Sequence, residues 1–147
     1  MRNSPSLPIE PHDTYGSLRQ LAERLGVNVR SDMIDGNLRG YYESWSNSII
    51  IDRGQSYRAK RCTLVHELVH WSHGDVFHGT VIDDRLEHRT RRETALILVD
   101  ENEYRMAELA YDGDISLMAS ELDVTRQVIE DYRDMVLAPL RDQCAEL

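Results

Sequence analysis

The sequence predicts a single α+β domain in which one helix and a small antiparallel sheet precede a series of helices. Apolar residues recur at helical spacing in several segments, and three short segments between them are strand-like and bounded by tight polar stretches. The 147 residues are enough for one domain that folds without cross-links. Residues 1–13 hold three of the four prolines and no periodicity, so we expect a flexible tail there and the domain over 14–147.

The first half of the chain supplies the predicted first helix and the sheet. Leu18, Leu21 and Leu25 follow one helical face, and Gly26 is a stop signal. The stretch VNVRSDM is a strand candidate. NLRGYYE and SIIID are predicted to form a hairpin across the polar stretch SWSNS.

The second half is predicted to be helical. Ser56 is the expected N-cap of the helix SYRAKRCTLVHELVHWSH. The loop GDVFHGTVIDD then leads to a second long helix, RLEHRTRRETALILV. Two or three further helices are expected within residues 102–140, as part of the same domain.

Composition and charge exclude some classes of function. The net charge of −9 does not suit non-specific DNA binding or an anionic membrane, since both need a positive field. Neither a long apolar run nor a signal-like N-terminus is present, so we expect no membrane span and no secretory signal. Cys62 and Cys144 are predicted to be free thiols, which favours a cytoplasmic protein.

The chemistry is carried by residues 66–70, which read H-E-L-V-H and match the pattern H-E-x-x-H. On a helix, His66 and His70 point the same way, and Glu67 lies about 100° around the axis. Two imidazoles at this spacing can bind one zinc ion, and the glutamate can act as general base toward a water. The flanking residues are apolar, so the helix is buried and its polar side chains need partners.

A third histidine does not complete the site in the common long form of the motif. The form H-E-x-x-H-x-x-G-x-x-H needs glycine at position 73 and histidine at position 76, where this chain has His73 and Val76. We interpret His73 and His78 as surface side chains.

A glutamate of the next helix is the remaining route to a third ligand. Glu87 and Glu93 follow His70 by 17 and 23 residues. Small residues, Thr94 and Ala95, would let this helix approach the histidine helix closely. Helical geometry alone leaves both glutamates possible.

The segment RCTLVHELVH resembles the active-site helix of the ImmA/IrrE-type metallopeptidases, a gluzincin-like family found with phage and mobile-element repressors. LAERLGVNV, GNLRGYYE and SIIID resemble the helix and small sheet that precede it in small phage and actinobacterial members. EHRTRRETALILV resembles the run E-x-x-A-D-x-x-A-A-x-x-L-[IV], which makes Glu87 the third ligand. Thr90 and Arg91 depart from this run, and an arginine cannot accept a hydrogen bond from a ligating histidine, as the expected acid would.

The resemblance implies a zincin-like helical domain with the small sheet packed on it and a C-terminal helical hairpin. It implies a zinc-dependent endopeptidase with His66, His70 and Glu87 as metal ligands and Glu67 as general base. It also implies a specific protein substrate, typically a transcriptional repressor of a phage or mobile element. The strand GYYE could hold an extended substrate, as edge strands do in enzymes of this class.

Two alternatives from other classes stay open. The chain could be a non-catalytic zinc-fold module that binds a regulator without cutting it, which the departure at Arg91 would allow. The segment DISLMASELDVTRQVIEDYRDMV resembles a helix-turn-helix, which would make the protein a DNA-binding regulator. Its second helix mixes Arg126 and Arg133 with several acids, so direct nucleic-acid binding is not favoured. His78 and Tyr104 are candidates for stabilising an oxyanion.

Overall fold

A computed structural model of the chain, which describes residues 7–76 and 83–145, confirms the α+β class. A three-stranded sheet lies in the N-terminal half, and the other regular elements of the described residues are helices. In chain order the elements are α1 (Tyr15–Arg24), β1 (Asn28–Asp32), β2 (Gly40–Glu43), β3 (Ser48–Asp52), α2 (Tyr57–Ser72), α3 (Asp84–Leu98), α4 (Glu101–Tyr111), α5 (Ile115–Leu122), α6 (Arg126–Asp131), a π-helical segment (Tyr132–Leu137) and α7 (Ala138–Ala145).

The sheet is mixed, which corrects the prediction of an antiparallel sheet. Its strand order is β1-β3-β2, with β2 antiparallel to β3 as the predicted hairpin requires. The other neighbour of β3 is β1, which pairs with it in parallel, from Asn28 opposite Ser48 to Asp32 opposite Asp52. Local sequence specifies a hairpin through its turn, whereas pairing of β1 with β3 depends on contacts between distant segments. The central strand β3 is the most buried of the three.

The helix α2 is the centre of the molecule. Its N-cap is Ser56, as predicted, whose hydroxyl accepts a hydrogen bond from the Ala59 amide at 3.2 Å. Apolar side chains along α2 are fully buried: Leu64, Val65, Leu68 and Val69. The helix packs against α1, α3 and the β2–β3 hairpin, so it carries its polar residues into the middle of the fold.

Residues 7–13 contact the domain, in contrast to the flexible tail expected for this part of the chain. Leu7 and Ile9 pack against the core. The buried guanidinium of Arg61 donates hydrogen bonds to the carbonyl oxygens of Pro11 at 2.8 Å and Asp13 at 3.3 Å. The sequence did not predict these contacts, because they use backbone carbonyl groups that any residue provides and need no periodic pattern.

The C-terminal helices pack on α3 and on one another. The helices α5 and α6 form the predicted pair, joined at Asp123, whose backbone is left-handed at φ 53°. The rings of Tyr104 and Tyr132 lie 4.9 Å apart and link α4 to the π-helical segment. No helix within residues 7–76 and 83–145 is long and apolar enough to cross a bilayer. Cys62 is buried and Cys144 is exposed, and both thiols are free.

Candidate metal centre

The structure brings the three predicted ligands together where α2 packs against α3. One donor atom from each of His66, His70 and Glu87 lies within 4.8 Å of the others. Glu87 Oε1 is 3.1 Å from His66 Nε2, and Glu87 Oε2 is 3.2 Å from His70 Nε2. The two imidazoles stand edge to face, with ring centroids 4.9 Å apart, as their spacing on one helical face requires.

The donor set fits a divalent cation. Ligand atoms held at roughly 2.0–2.1 Å around a tetrahedral ion are about 3.3 Å apart, close to both of these distances. His70 Nδ1 lies 2.8 Å from Asp75 Oδ2, and because a carboxylate only accepts, Nδ1 carries a proton. The neutral ring then presents the Nε2 lone pair to Glu87. Two acceptors facing each other need a positive charge between them, which a metal ion or a second ring proton supplies.

Charge and burial set the protonation of the cluster without a metal. Burial lowers the pKa of His70, but hydrogen bonds to Glu87 and Asp75 raise it further, so the net pKa is above its usual value. Burial alone would raise the pKa of Glu87, yet its bonds to both histidines and their charges hold that pKa far below the ordinary range. Both pKa shifts reflect the same arrangement, in which an anionic carboxylate lies beside positive charge.

His70 is supported by a carboxylate that the sequence analysis missed. Asp75 follows the end of α2, where Gly74 turns the chain with φ 67°, and its backbone amide donates to the His70 carbonyl at 3.1 Å. The buried Asp75 carboxylate contacts the ring, and Arg89 of α3 donates a short hydrogen bond to its Oδ2 atom. Thr90 Oγ1 lies 3.2 Å from the same ring nitrogen. This is the outer support that commonly orients a metal-binding histidine. A glycine followed by an acid directly after the helix is the only signal in the sequence, and it is weak.

The alternative third ligand, Glu93, lies away from the cluster. Its carboxylate Oε2 is 2.8 Å from His73 Nε2, one helical turn beyond His70. His78 lies outside the described residues. The geometry therefore places Glu87, and not Glu93, within 4.8 Å of the two histidine donor atoms.

Glu67, the predicted general base, lies at the same cavity as His66 and Glu87. It is almost fully buried, yet it lines a cavity together with His66 and Glu87. Burial raises the pKa of its carboxyl, the two histidines lower it in part, and Glu87 adds to the rise. A carboxyl whose pKa is raised holds a proton more readily, which suits a group that accepts and returns one.

The departure at Arg91 also finds a structural explanation. Its guanidinium contacts Asp131 of α6, through Nε to Oδ2 at 3.1 Å and Nη2 to Oδ1 at 2.5 Å. Arg91 is thus engaged with α6, and Asp75 provides the support for His70 that an acid at position 91 was expected to give.

An open cavity of about 400 Å³ leads to the cluster. Its walls come from the start of β2, from α2 and α3, and from α6. Gly40, the first residue of β2, lines the cavity, as do Gln127 and Asp131 of α6. Tyr104 lines a different cavity, between α4 and α7, so it does not border this one within the described residues.

Comparisons with protein-family models, with curated proteins and with solved structures find no match for this chain.

Proposed function

We propose that the chain is a zinc-dependent endopeptidase with a zincin-like arrangement of helices. The observation that carries the proposal is the convergence of His66, His70 and Glu87 at an open cavity, with Glu67 beside them. Two imidazoles and one carboxylate are a donor set that suits zinc and leaves a coordination position for water. Zinc bound there would lower the pKa of a water toward about 7 and polarise a peptide carbonyl.

Glu67 performs the proton transfers in this mechanism. Its carboxylate accepts a proton from the attacking water and returns it to the nitrogen of the leaving amine. The Glu67 side chain lines the same cavity as His66 and Glu87, which places it near a water bound by a metal at this site. Asp75 holds the His70 ring in the tautomer whose Nε2 atom carries the lone pair that would bind a metal.

The edge strand β2 can bind a substrate in extended form. Asp52 N donates to Arg39 O at 2.8 Å, which marks a hydrogen-bonded pair with β3. In an antiparallel ladder such pairs alternate, so the backbone groups of Gly40 and Tyr42 point to the outer edge. Gly40 also lines the cavity, so a peptide that pairs with β2 runs into the metal centre.

A protein is the proposed substrate, and a transcriptional repressor is the kind that the family resemblance favours. The two free thiols agree with the reducing cytoplasm, where such a substrate acts. The packing of α6 argues for the enzyme over the DNA-binding alternative. Gln127 of α6 lines the cavity and donates to Asp131 at 2.9 Å, so this face of the helix is turned to the site and not to a groove of DNA.

The experiment that tests the proposal compares the wild-type chain with Glu67→Gln. Both proteins are expected to bind one zinc ion, because the substituted side chain is not a ligand. Each is then incubated with a protein extract of the source organism, and newly formed N-termini are identified by mass spectrometry. Wild type should create N-termini that Glu67→Gln does not. Identical sets of N-termini from two zinc-loaded proteins would exclude the endopeptidase and favour the non-catalytic module.

A further inference from the structure

We propose that the cavity wall formed by Arg91 and Thr94 is a binding subsite for an acidic side chain of the substrate, next to the bond that is cleaved. The inference rests on the proposed function, since it names the substrate chemistry of the same cavity. It depends on three observations about α3 and α6: the spacing along the helix, a fixed guanidinium and an unpartnered hydroxyl.

The spacing places the subsite beside the metal centre. Glu87, Arg91 and Thr94 stand at positions i, i+4 and i+7 of α3 and all line the cavity. At about 1.5 Å per residue, Arg91 lies about 6 Å and Thr94 about 10 Å further along the helix than the ligand. The residue next to the cleaved bond is displaced from it by one step of an extended chain, about 3.3–3.6 Å, and the length of its acidic side chain covers the rest of this interval.

The guanidinium of Arg91 is held in place before any ligand arrives. Its Nε and Nη2 atoms make a two-point contact with Asp131, which is buried and also accepts a hydrogen bond from Gln127. A guanidinium has five N–H groups, and these two contacts leave the remaining donors for another acceptor. An arginine fixed in this way loses little freedom when it binds a carboxylate.

Thr94 supplies the independent observation. Its side chain is 4% exposed, and its buried Oγ1 atom has no hydrogen-bond partner among the described residues. A buried hydroxyl without a partner costs about 1–3 kcal/mol, so such groups in native proteins call for an explanation. Thr94 also lines the cavity, so a rotation about its χ1 bond would bring this hydroxyl to the cavity surface, where a substrate oxygen can accept its hydrogen bond.

The charges around the cavity favour an anion. Arg39 and Arg91 oppose Asp131, Glu67 and Glu87, and a bound divalent cation would change the balance from −1 to +1. The net charge of the cavity lining would then be positive, although the net charge of the whole chain is −9. A carboxylate gains from this field, whereas a basic side chain would meet the metal and both arginines.

Small hydroxamates test the subsite by binding alone. Two pairs are used, one with the variable side chain before the hydroxamate group and one with it after, each in a glutamate and a glutamine version. The zinc-loaded protein should bind the glutamate version of one pair about tenfold or more tightly, as charge-assisted hydrogen bonds imply. Arg91→Gln should remove this preference, and Thr94→Val should reduce it. The matched control is Arg92→Gln, an exposed arginine on the same helix, which should keep the preference in full.

The possible outcomes separate the subsite from the proposed function. Equal binding of the two versions in both pairs, or a preference that survives Arg91→Gln, would overturn the subsite while leaving the zinc enzyme intact. Binding of no hydroxamate by the zinc-loaded protein would overturn both, because the proposed enzyme needs an open coordination position on the metal. A protein that takes up no zinc would overturn both. Arg91→Lys guards against misfolding of Arg91→Gln, because it keeps the charge and should retain a weakened preference for glutamate.

Discussion

Two clusters of histidine and glutamate lie one helical turn apart along the contact between α2 and α3, and they differ in what surrounds them. The three-donor cluster (His66, His70 and Glu87) has its donor atoms within 4.8 Å of one another at the base of a cavity. The outer pair (His73 and Glu93) is joined by a 2.8 Å contact between partly exposed side chains. The residue types are the same in both, so composition does not define the site. The candidate site is distinguished by the convergence of three donors and by the buried carboxylate that supports one of them.

The burial of one ligand, His70, separates the two clusters, because His66 and Glu87 are about as exposed as the outer pair. The His70 side chain is 2% exposed and is fixed by Asp75, whereas His73 and Glu93 both face solvent in part. A partly exposed ion pair contributes about 0–1 kcal/mol, because water and salt screen it. Preorganised donors lose less freedom when a cation arrives, so the three-donor cluster is the better ligand set.

The largest expected effect comes from removing one donor. Glu87→Gln keeps the shape of the side chain and removes its charge, and we expect zinc affinity to fall by more than about 100-fold, since loss of outer support alone costs about 10–100-fold. Glu93→Gln makes the same change in the outer pair and should leave the affinity unchanged. Competition with a chromophoric chelator measures both. Comparable losses in the two variants would contradict the distinction between the clusters.

The next effect concerns Asp75. We expect Asp75→Ala to weaken zinc binding by about 10–100-fold, because the His70 ring loses the acceptor that fixes its Nδ1 proton. Asp75→Asn retains an acceptor oxygen and should fall between wild type and Asp75→Ala. The absorption spectrum of the cobalt-substituted protein reports the ligand geometry directly, and thermal unfolding identifies any variant that fails to fold. A spectrum and an affinity unchanged in Asp75→Ala would show that the contact has no role in the site.

The sequence predicts the parts of the fold that local patterns specify. The helix α2, its cap and the β2–β3 hairpin follow from periodicity, capping and turn residues over a few positions. The placement of β1 does not, because its partner strand begins 20 residues later and competing registers look alike in the sequence. The contacts of Arg61 with residues 7–13 are not predicted either, because they join segments about 50 residues apart in the chain.

The candidate site divides in the same way. Helical spacing alone predicts that His66 and His70 share a face with Glu67 close by, but spacing could not choose between Glu87 and Glu93. That choice depends on how α3 crosses α2. The resemblance favoured Glu87, and the structure places Glu87 close to both histidines. Asp131, the partner of Arg91, lies 40 residues away in the chain, and nothing local points to it.

The smallest expected effect concerns the contact between β2 and α2 beside the cavity. Gly40 and Thr63 line this cavity, whereas the outer pair is not part of its lining. A Cβ atom at Gly40 would lie 2.7 Å from Thr63 Cγ2 and 3.0 Å from the Ile50 carbonyl oxygen. Gly40→Ala should therefore reduce the free energy of unfolding by about 1–3 kcal/mol, as overpacking does. Chemical denaturation measures it, with Gly16→Ala as the control, because the nearest atom there is 3.8 Å away.

A second substitution shows whether the clash is the cause. Thr63→Ser removes the Cγ2 methyl group and keeps the hydroxyl, which donates to Gln55 Oε1 at 3.0 Å. Combined with Gly40→Ala, it should restore part of the lost stability, so the two changes should be non-additive. Additive effects would mean that the strand does not lie against the helix as closely as described. In that case β2 would not border the cavity, and the proposed path of an extended peptide from β2 to the three-donor cluster would be wrong.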